Sequence, residues 1–186
     1  MSKKQENKGA VLEDRAGKYL TFRLADEEFG IEILKVREII GMMNVTPVPR
    51  APEYIRGVIN LRGKIIPVLD LRNIFRMEAS EDTDETCIIV AEIRLNGESI
   101  LMGTVVDAVS EVLDIKENEI EDSPAFGSNV DTKFILGIGK VKNEVKILLD
   151  IDEVLAVNES AVLLKLSEDD VTSADIVQEE DIHQLV

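Results

Sequence analysis

Apolar and polar residues alternate along two stretches near the start of the chain, the pattern of β-strands with one buried face. Within Tyr19–Leu24 every second residue is apolar, and Glu28–Ile33 resumes the alternation after a short acidic turn. A second pair of apolar runs, Ile88–Leu95 and Ile100–Val106, is separated by Asn-Gly at 96–97, a strong signal for a two-residue hairpin turn. The pattern therefore predicts two β-hairpins.

A third hairpin is predicted over Gly57–Leu71, where two β-branched runs flank a break at Arg62-Gly63. Gly63 supplies the positive φ that a tight hairpin turn requires. Pro67 has no N–H to donate to a ladder, so the second strand is expected to be an edge strand or to carry a bulge there. The turn places Arg62 at the exposed tip, with Asn60 beside it.

The third hairpin recurs later in the chain. Residues 54–75 align without a gap to residues 134–155, with a shift of 80 that places Gly63 on Asn143. Asparagine is the other residue that tolerates a left-handed backbone. Two shorter blocks recur in the same order with a shift of 73, residues 29–30 on 102–103 and residues 36–40 on 109–113. Repeated blocks in a fixed order indicate an internal duplication.

Short helices are predicted where the alternation stops. Leu34–Ile40 has apolar residues at the spacing of one or two helical turns, ended by Gly41. Asp70 is placed to cap a helix over Leu71–Phe75, and its repeat equivalent Asp150 is placed to cap a second helix.

With 186 residues, the chain is long enough to bury a substantial core. By composition and repeat pattern it divides into five segments. These are a polar N-terminus expected to be flexible (1–17), a first β-barrel subdomain (18–78), an acidic linker (79–85), a second β-barrel subdomain (86–157) and an acidic tail (158–186).

The formal net charge of −16 opposes binding to nucleic acid or to anionic membrane surfaces, because both select for Lys and Arg. One cysteine excludes an internal disulfide framework, and no Cys/His cluster has the spacing of a zinc site. The only histidine, His183, lies in the tail, so the pattern positions no general base. No run has the length of a membrane span or the features of a signal peptide, which predicts a cytoplasmic protein without direct membrane insertion. The motifs predict neither a metal nor a cofactor.

Three other motifs are interpreted as structural. Gly137-Ile-Gly139-Lys140 lacks the spacing of a phosphate loop and matches the repeated strand. Cys87 begins a predicted strand, where a small buried hydrophobe is the usual role. Residues 81–85 are rich in acids but lack the glycine and the bidentate glutamate of a calcium loop.

Taken together, the motifs resemble the CheW family of bacterial chemotaxis coupling proteins over about residues 19–155. The regulatory domain of the chemotaxis kinase CheA and the front half of CheV share the pattern, but this chain shows no kinase or receiver module. The motifs that carry the resemblance are Phe22-x-Leu24, Phe29-Gly-Ile-x-Ile33, Val36-x-Glu38-Ile39, Pro47, Ile55-x-Gly57-Val58-x-Asn60-Leu61-Arg62-Gly63, Pro67-Val68-x-Asp70-Leu71 and Gly103-x-Val105-Val106-Asp107.

The resemblance implies an all-β fold with short helices, in which two intertwined five-stranded SH3/OB-like barrels exchange strands. It implies a non-catalytic adaptor that couples the regulatory domain of the histidine kinase CheA to the cytoplasmic tips of methyl-accepting chemoreceptors in membrane-associated arrays. We expect the chain to be a monomer in isolation. The resemblance also implies that Arg62 contacts a partner. Asn60, Lys64, Arg56 and Arg72 accompany Arg62 in what the sequence presents as the only concentrated basic patch.

Apolar residues at duplicated positions form a second candidate surface. Val36 with Ile39, and Val109 with Val112, are expected to line the seam between the barrels, where the family's receptor-binding groove lies. The predicted partner-binding residues, for receptor groove and kinase face together, are Val36, Glu38, Ile39, Gly57, Asn60, Arg62, Gly63, Gly103, Val109 and Val112.

Two other functions stay open. A small-molecule-sensing β-barrel module, with the acidic tail as output, would show a ligand-dependent thermal shift, whereas an adaptor would co-sediment with receptor and CheA. A nucleic-acid-binding OB-type barrel is opposed by the charge and by the aromatic content of 4%.

Overall fold

The structure, a computed structural model, describes residues 15–124 and 132–156. Most of the N-terminal segment and the acidic tail therefore lie outside the described residues. No helix within the described part is long and apolar enough to cross a membrane. The elements are β1 (Gly17–Leu24), β2 (Glu27–Glu32), β3 (Val36–Gly41), β4 (Ile55–Leu61), β5 (Lys64–Asp70), α1 (Leu71–Ile74), β6 (Cys87–Leu95), β7 (Glu98–Val106), β8 (Ala108–Ile115), β9 (Ile120–Glu121), β10 (Ile135–Val141), β11 (Glu144–Leu149) and α2 (Ile151–Ala156), with 3₁₀ turns at Ile33–Lys35 and Glu117–Glu119.

The strands form two mixed sheets. The six-stranded sheet has the order β8-β1-β2-β11-β10-β9, and the five-stranded sheet has the order β3-β6-β7-β5-β4. The first copy's hairpin β1–β2 thus pairs with strands of the second copy, and the second copy's hairpin β6–β7 pairs with strands of the first. Each exchange is made through one parallel pair, β2 with β11 and β7 with β5. The predicted mainly β fold with exchanged strands agrees with this topology.

The largest apolar core lies between the two sheets. Phe22 and Ile31 enter it from the six-stranded sheet, and Leu69 and Ile89 enter it from the five-stranded sheet. Smaller clusters form around alternate residues of the same strands, which point to the opposite faces. Their buried members are Ile59, Ile66, Val68, Ile88, Val90 and Val105 in the five-stranded sheet, and Tyr19, Ile115, Ile120 and Leu148 in the six-stranded sheet.

The helix predicted over Leu34–Ile40 is wrong, because Val36 begins strand β3. Before a bulge in this strand Val36 pairs with Ala91, and after it Ile39 pairs with Ile89. The bulge adds one residue to the strand, so Val36 and Ile39 share a face at a spacing of three. This spacing imitates a helical period, which explains the error.

The second copy repeats the same bulge. In β8, Val109 pairs with Phe22, and Val112, three residues on, pairs with Leu20, only two residues back. The duplicated apolar positions therefore have the same backbone geometry in both copies.

The predicted hairpin turns are confirmed. Gly63 has φ of +84° and Asn143 has φ of +63°. The residues before them, Arg62 and Lys142, also adopt positive φ, at +51° and +53°, so both central positions of each turn are left-handed, as in type I′ hairpins.

Both predicted helix caps are confirmed. Asp70 Oδ1 accepts a hydrogen bond from the backbone N–H of Arg72 at 2.9 Å. Asp150 Oδ1 accepts one from the backbone N–H of Asp152 at 3.1 Å. The capped helices α1 and α2 occupy equivalent places in the two copies.

Pro67 does not lie on an edge strand, contrary to expectation. Strand β5 lies between β7 and β4, and the bulge of this hairpin falls between Ile55 and Gly57. The parallel pairing with β7 starts at Val68, one residue after the proline. Pro67, which has no N–H, therefore lies just before the residues of β5 that pair with β7.

The chain passes from one sheet to the other twice, and an ion pair holds each crossover. After β2, Lys35 Nζ lies 2.6 Å from Asp152 Oδ2 at the start of α2. After β7, Asp107 Oδ1 accepts a hydrogen bond from Arg72 Nε in α1 at 2.8 Å. Arg72 and Asp152 are repeat equivalents with opposite charges, so the helix of each copy contributes one partner to the ion pair at a crossover.

Candidate partner-binding surfaces

The tip of the β4–β5 hairpin is held by its own side chains. Asn60 Oδ1 accepts a hydrogen bond from the backbone N–H of Gly63 at 2.9 Å, so Asn60 stabilises the turn from within. A Cβ at Gly63 would meet no atom within 4 Å. Glycine is therefore favoured there by the positive φ, not by lack of space.

Arg62 forms a two-point ion pair with Glu38 of β3. Its Nη1 donates to Glu38 Oε1 at 3.1 Å, and Nη2 contacts Oε2. The Arg62 side chain is 74% exposed, whereas that of Glu38 is 29% exposed. The pair links the hairpin tip to an edge strand of the same sheet and leaves the guanidinium accessible. Arg62 and Glu38, both predicted as site residues, are thus brought together.

A cleft of about 440 Å³ lies beside this ion pair, and we name it the β3 cleft. Its charged residues include a second ion pair between Arg37 and Glu92. The lining residues are the apolar Leu61, Ile66, Val90 and Leu101 and the charged Arg37, Glu38, Arg62, Lys64 and Glu92. Apolar and charged groups together suit a peptide or protein segment more than a wholly apolar ligand.

The basic patch expected around Arg62 is wrong. Arg56 lies 3.1 Å from Asp70 Oδ2 and 2.6 Å from Asp82 Oδ2, while Arg72 is paired with Asp107. Burial alone would raise the pKa of Asp107, but hydrogen bonds from Arg72 and from a backbone N–H lower it below its ordinary value. These two arginines are held within the fold by acids, whereas Arg62 stays 74% exposed despite its pair with Glu38 and gives the tip its positive charge together with Lys64.

The four apolar candidates lie on the edge strands, on the sheet faces that border the central core. Val36 and Val109 are half-buried and pack against that core. Ile39 and Val112, one per copy, are 44% and 49% exposed. Each edge strand therefore has one half-buried and one exposed apolar side chain. Apolar side chains of a partner can pack against the exposed one.

Two glycines of the predicted site are explained by packing. A Cβ at Gly57 would lie 2.2 Å from the carbonyl oxygen of Thr46, and the backbone φ is +145°. A Cβ at Gly103 would lie 2.8 Å from Ile88 Cγ2. Both glycines are buried: the backbone of Thr46 covers Gly57, and core side chains pack against Gly103.

An ion pair that joins the two copies within the six-stranded sheet was missed by sequence reasoning. Lys146 Nζ pairs with Glu28 and with Glu144, and the lysine side chain is 4% exposed. Burial lowers the pKa of Lys146 from its ordinary value. The repeat equivalents of Lys146 and Glu28 are Ile66 and Leu101, which line the β3 cleft in the five-stranded sheet. The alignment of the copies carried the signal, because a charged pair stands in one sheet where the other sheet has an apolar pair.

The remaining motifs have structural places. Cys87 is 9% exposed, and burial raises the pKa of its thiol, so the sulfur packs as a small hydrophobe. Gly137–Lys140 lies within strand β10. Among residues 15–124 and 132–156, no group of His, Cys, Asp and Glu side chains could hold a metal ion.

We expect Gly63→Val to lower the free energy of unfolding by about 1–3 kcal/mol, because a β-branched residue is strained at positive φ. Urea unfolding followed by circular dichroism measures the change. The matched variant Arg62→Ala, at the neighbouring turn position, removes only an exposed ion pair and should change stability by less than about 1 kcal/mol. If Arg62→Ala unfolds the protein and Gly63→Val does not, the assignment of the turn is reversed.

Two mixed sheets that exchange hairpins, with apolar and ion-paired side chains along their edge strands, define a β-sheet module of the protein-binding class. Comparison with known proteins identifies the family. The model of the CheW-like domain matches residues 18–159, so the chain belongs to the CheW-like domain family and the resemblance seen in the sequence is confirmed. It is accordingly a scaffolding protein of chemotaxis, of a non-catalytic adaptor family.

Individual relatives agree with this assignment. The chain is 39% identical to the chemotaxis protein CheW of Klebsiella aerogenes over 145 residues, which cover 78% of this chain and 85% of the relative. It is 37% identical to the chemotaxis protein CheW of Bacillus subtilis, with coverage of 74% and 86%. The crystal structure of the scaffolding protein TtCheW from Thermoanaerobacter tengcongensis superimposes with a TM-score of 0.66 at 38% identity, covering 75% of this chain and 92% of that one.

Proposed function

We propose that this protein couples the regulatory domain of the kinase CheA to the cytoplasmic tips of methyl-accepting chemoreceptors. It acts in the cytoplasm, at membrane-associated receptor arrays, and is monomeric in isolation. Each sheet closes into a small β-barrel, and the two barrels expose separate faces to the two partners. The side chains of the predicted site residues divide between these faces, and the buried Gly57 and Gly103 support them from within the sheet.

The observation that carries this proposal is the duplicated apolar edge. Ile39 and Val112 are exposed at equivalent bulges on the outer strands of the two sheets, above the anchored Val36 and Val109. A receptor tip is a helical hairpin, so it would present apolar side chains about one helical turn apart. Such a stripe fits a surface with apolar residues at a spacing of three on each edge strand.

The test is co-sedimentation of the purified chain with receptor-containing membranes, with and without CheA. We expect the chain to sediment with receptors alone, and CheA to sediment only when the chain is present. Binding of CheA to receptors in its absence would contradict the coupling role. If the chain binds neither the receptor nor CheA, the proposed coupling of these two partners is excluded.

We expect the acidic tail to be dispensable for folding. Removing residues 159–186 deletes eight acids and one lysine, a net charge of −7, and none of the described core. The melting temperature should change by less than about 2 °C, because terminal segments outside the core contribute little to stability. Differential scanning calorimetry of the two chains measures the change. Aggregation or unfolding of the shortened chain would show that residues 162–166 contribute an element that the fold requires.

A further inference from the structure

The β3 cleft opens between the two outer strands of the five-stranded sheet. Residues 37–38 of β3 lie on one side of it, and Leu61 of β4 lies on the other. Ile66 and Val90 also line the cleft, and both belong to the buried cluster on the sheet face opposite the central core. Val36, the half-buried residue of the duplicated apolar edge, packs against the central core instead. The cleft and the duplicated apolar edge therefore lie on opposite faces of the sheet.

The charges around the β3 cleft leave one cation unmatched. Arg62 pairs with Glu38 of β3. Arg37 pairs with Glu92 of β6. Lys64 is exposed, and no ion pair within the described part of the chain includes it. A surface with apolar side chains and one spare cation fits a protein segment that presents an apolar residue beside a carboxylate.

The corresponding place in the six-stranded sheet has polar side chains where the β3 cleft has apolar ones. The equivalent residues, by repeat shift and by strand pairing, are Lys146 for Ile66, Glu28 for Leu101 and Thr21 for Val90. Lys146 and Glu28 are joined to each other, and the lysine side chain is 4% exposed. Glu28 Oε1 also accepts a hydrogen bond from Ser110 Oγ at 3.3 Å. The ion pair thus occupies the place that is an apolar cleft in the five-stranded sheet.

Two features of the six-stranded sheet oppose the same protein segment. An apolar side chain would have to separate Lys146 from Glu28, and a buried charge that loses its partner is strongly destabilising. The exposed charge is also reversed, because the equivalent of Lys64 is Glu144, which is 70% exposed. A carboxylate on the segment would therefore be repelled there and attracted at the β3 cleft.

We propose that the β3 cleft binds a segment of the CheA regulatory domain that presents an apolar side chain beside a carboxylate, and that the ion pair of Glu28 and Lys146 excludes this segment from the six-stranded sheet. The kinase is the occupant because the receptor is assigned to the duplicated apolar edge, on the other face. Glu28 and Lys146 are thus specificity-determining residues, through which a duplicated module binds the kinase with one sheet only. This inference rests on the function proposed above.

Charge reversal at the cleft tests the occupant. Lys64→Glu should weaken binding of a CheA regulatory-domain fragment by about tenfold or more, because it removes the spare cation and repels a carboxylate. The matched control Lys142→Glu makes the same charge change at the tip of the β10–β11 hairpin and should bind like the unmodified chain. Isothermal titration calorimetry measures the affinities. Equal affinities of the two variants would overturn the assignment of the cleft.

Opening the equivalent place tests the exclusion. The variant Glu28→Leu/Lys146→Ile/Glu144→Lys gives the six-stranded sheet the residues that the five-stranded sheet has there, and it should bind two CheA fragments per chain instead of one. The matched control Glu121→Leu/Lys140→Ile removes an exposed ion pair of the same sheet and should still bind one. Circular dichroism verifies that both variants fold. A folded triple variant that binds one fragment would overturn the role of the buried ion pair.

The reciprocal variant keeps the exclusion testable even if the triple variant does not fold. Ile66→Lys/Leu101→Glu installs the ion pair in the five-stranded sheet and should abolish binding of the CheA fragment. Normal binding by a folded reciprocal variant would show that such an ion pair does not exclude the segment, and would overturn the proposal.

A receptor-tip fragment is the second probe. Lys64→Glu should leave its affinity unchanged, because the duplicated apolar edge lies on the other face of the sheet. Equal loss of receptor and CheA affinity would overturn the assignment of the cleft to the kinase. If the unmodified chain does not bind the CheA fragment, the proposed function fails and the kinase is excluded as occupant. If it binds and no variant differs from it, this inference alone is overturned.

Discussion

Glu28→Leu is expected to lower the free energy of unfolding by about 3 kcal/mol or more, because it leaves the buried Lys146 without its partner on β2. The lysine side chain is 4% exposed and that of Glu28 is 30% exposed, so water replaces the lost carboxylate only in part. Glu144, 2.8 Å away, is 70% exposed, and an exposed carboxylate compensates only weakly. Urea unfolding of the two proteins measures the difference in the free energy of unfolding, provided that both have the same m-value.

The double variant Glu28→Leu/Lys146→Ile should recover this loss. It installs in the six-stranded sheet the apolar pair that the five-stranded sheet has as Leu101 and Ile66. Replacing a buried ion pair by apolar residues is often neutral or stabilising by about 1–4 kcal/mol. Lys140→Met is the matched control, because Lys140 pairs with Glu121 at 2.7 Å on the exposed surface and should matter by less than about 1 kcal/mol. If Glu28→Leu costs no more than Lys140→Met, the ion pair does not hold the sheet together.

The same ion pair shows what a duplicated sequence can reveal about pairing. The parallel pair of β11 and β2 aligns Ile147 with Phe29, and that of β5 and β7 aligns Val68 with Gly103. Extending both registers places Lys146 opposite Glu28 and Ile66 opposite Leu101. The two repeat shifts of 80 and 73 relate one pair to the other, so the sequence contained the contact but did not say which strands pair.

Local features were the most predictable from the sequence. Turns such as Arg62-Gly63 and the cap at Asp70 depend on a few neighbouring residues whose backbone preferences are strong. The bulge after Val36 was not predictable, because an extra residue in a strand produces the spacing of a helix. Exchange of hairpins between sheets followed only from the family resemblance, since nothing local in a hairpin specifies the sheet it joins.

The sequence predicted the exposed position of Arg62 at the candidate surface, but it did not predict how the neighbouring basic residues are arranged. Arg62 was expected at an exposed tip, and it is 74% exposed there. Arg56 and Arg72 were expected to surround it, but acids 14 and 35 residues away in the chain bind them. Ion pairs of this kind depend on the tertiary fold, so a cluster of basic residues in a sequence overstates the positive charge of a surface.

Val36→Asp is expected to abolish most receptor binding and to leave CheA binding intact. Val36 packs against the core beside the exposed Ile39, and a carboxylate in an apolar contact pays its desolvation cost without a partner. A single adaptor contact of about micromolar affinity corresponds to ~8 kcal/mol. Firm attachment then depends on many adaptor molecules acting together in an array. A partial loss of receptor affinity in each molecule should therefore abolish the recruitment of CheA to receptors.

Separate titrations of receptor-tip and CheA regulatory-domain fragments measure the two affinities. Because Val36 is half-buried, Ile39→Asp serves as a second variant at a more exposed position of the same surface, and calorimetry verifies that both variants fold. The matched control is Ile65→Asp, since Ile65 is 60% exposed on the β4–β5 hairpin and is not one of the predicted site residues; it should bind receptor normally. Equal loss of both affinities in folded Val36→Asp and Ile39→Asp would mean that receptor and kinase share one site. An adaptor with two separate faces requires that the two affinities fall independently.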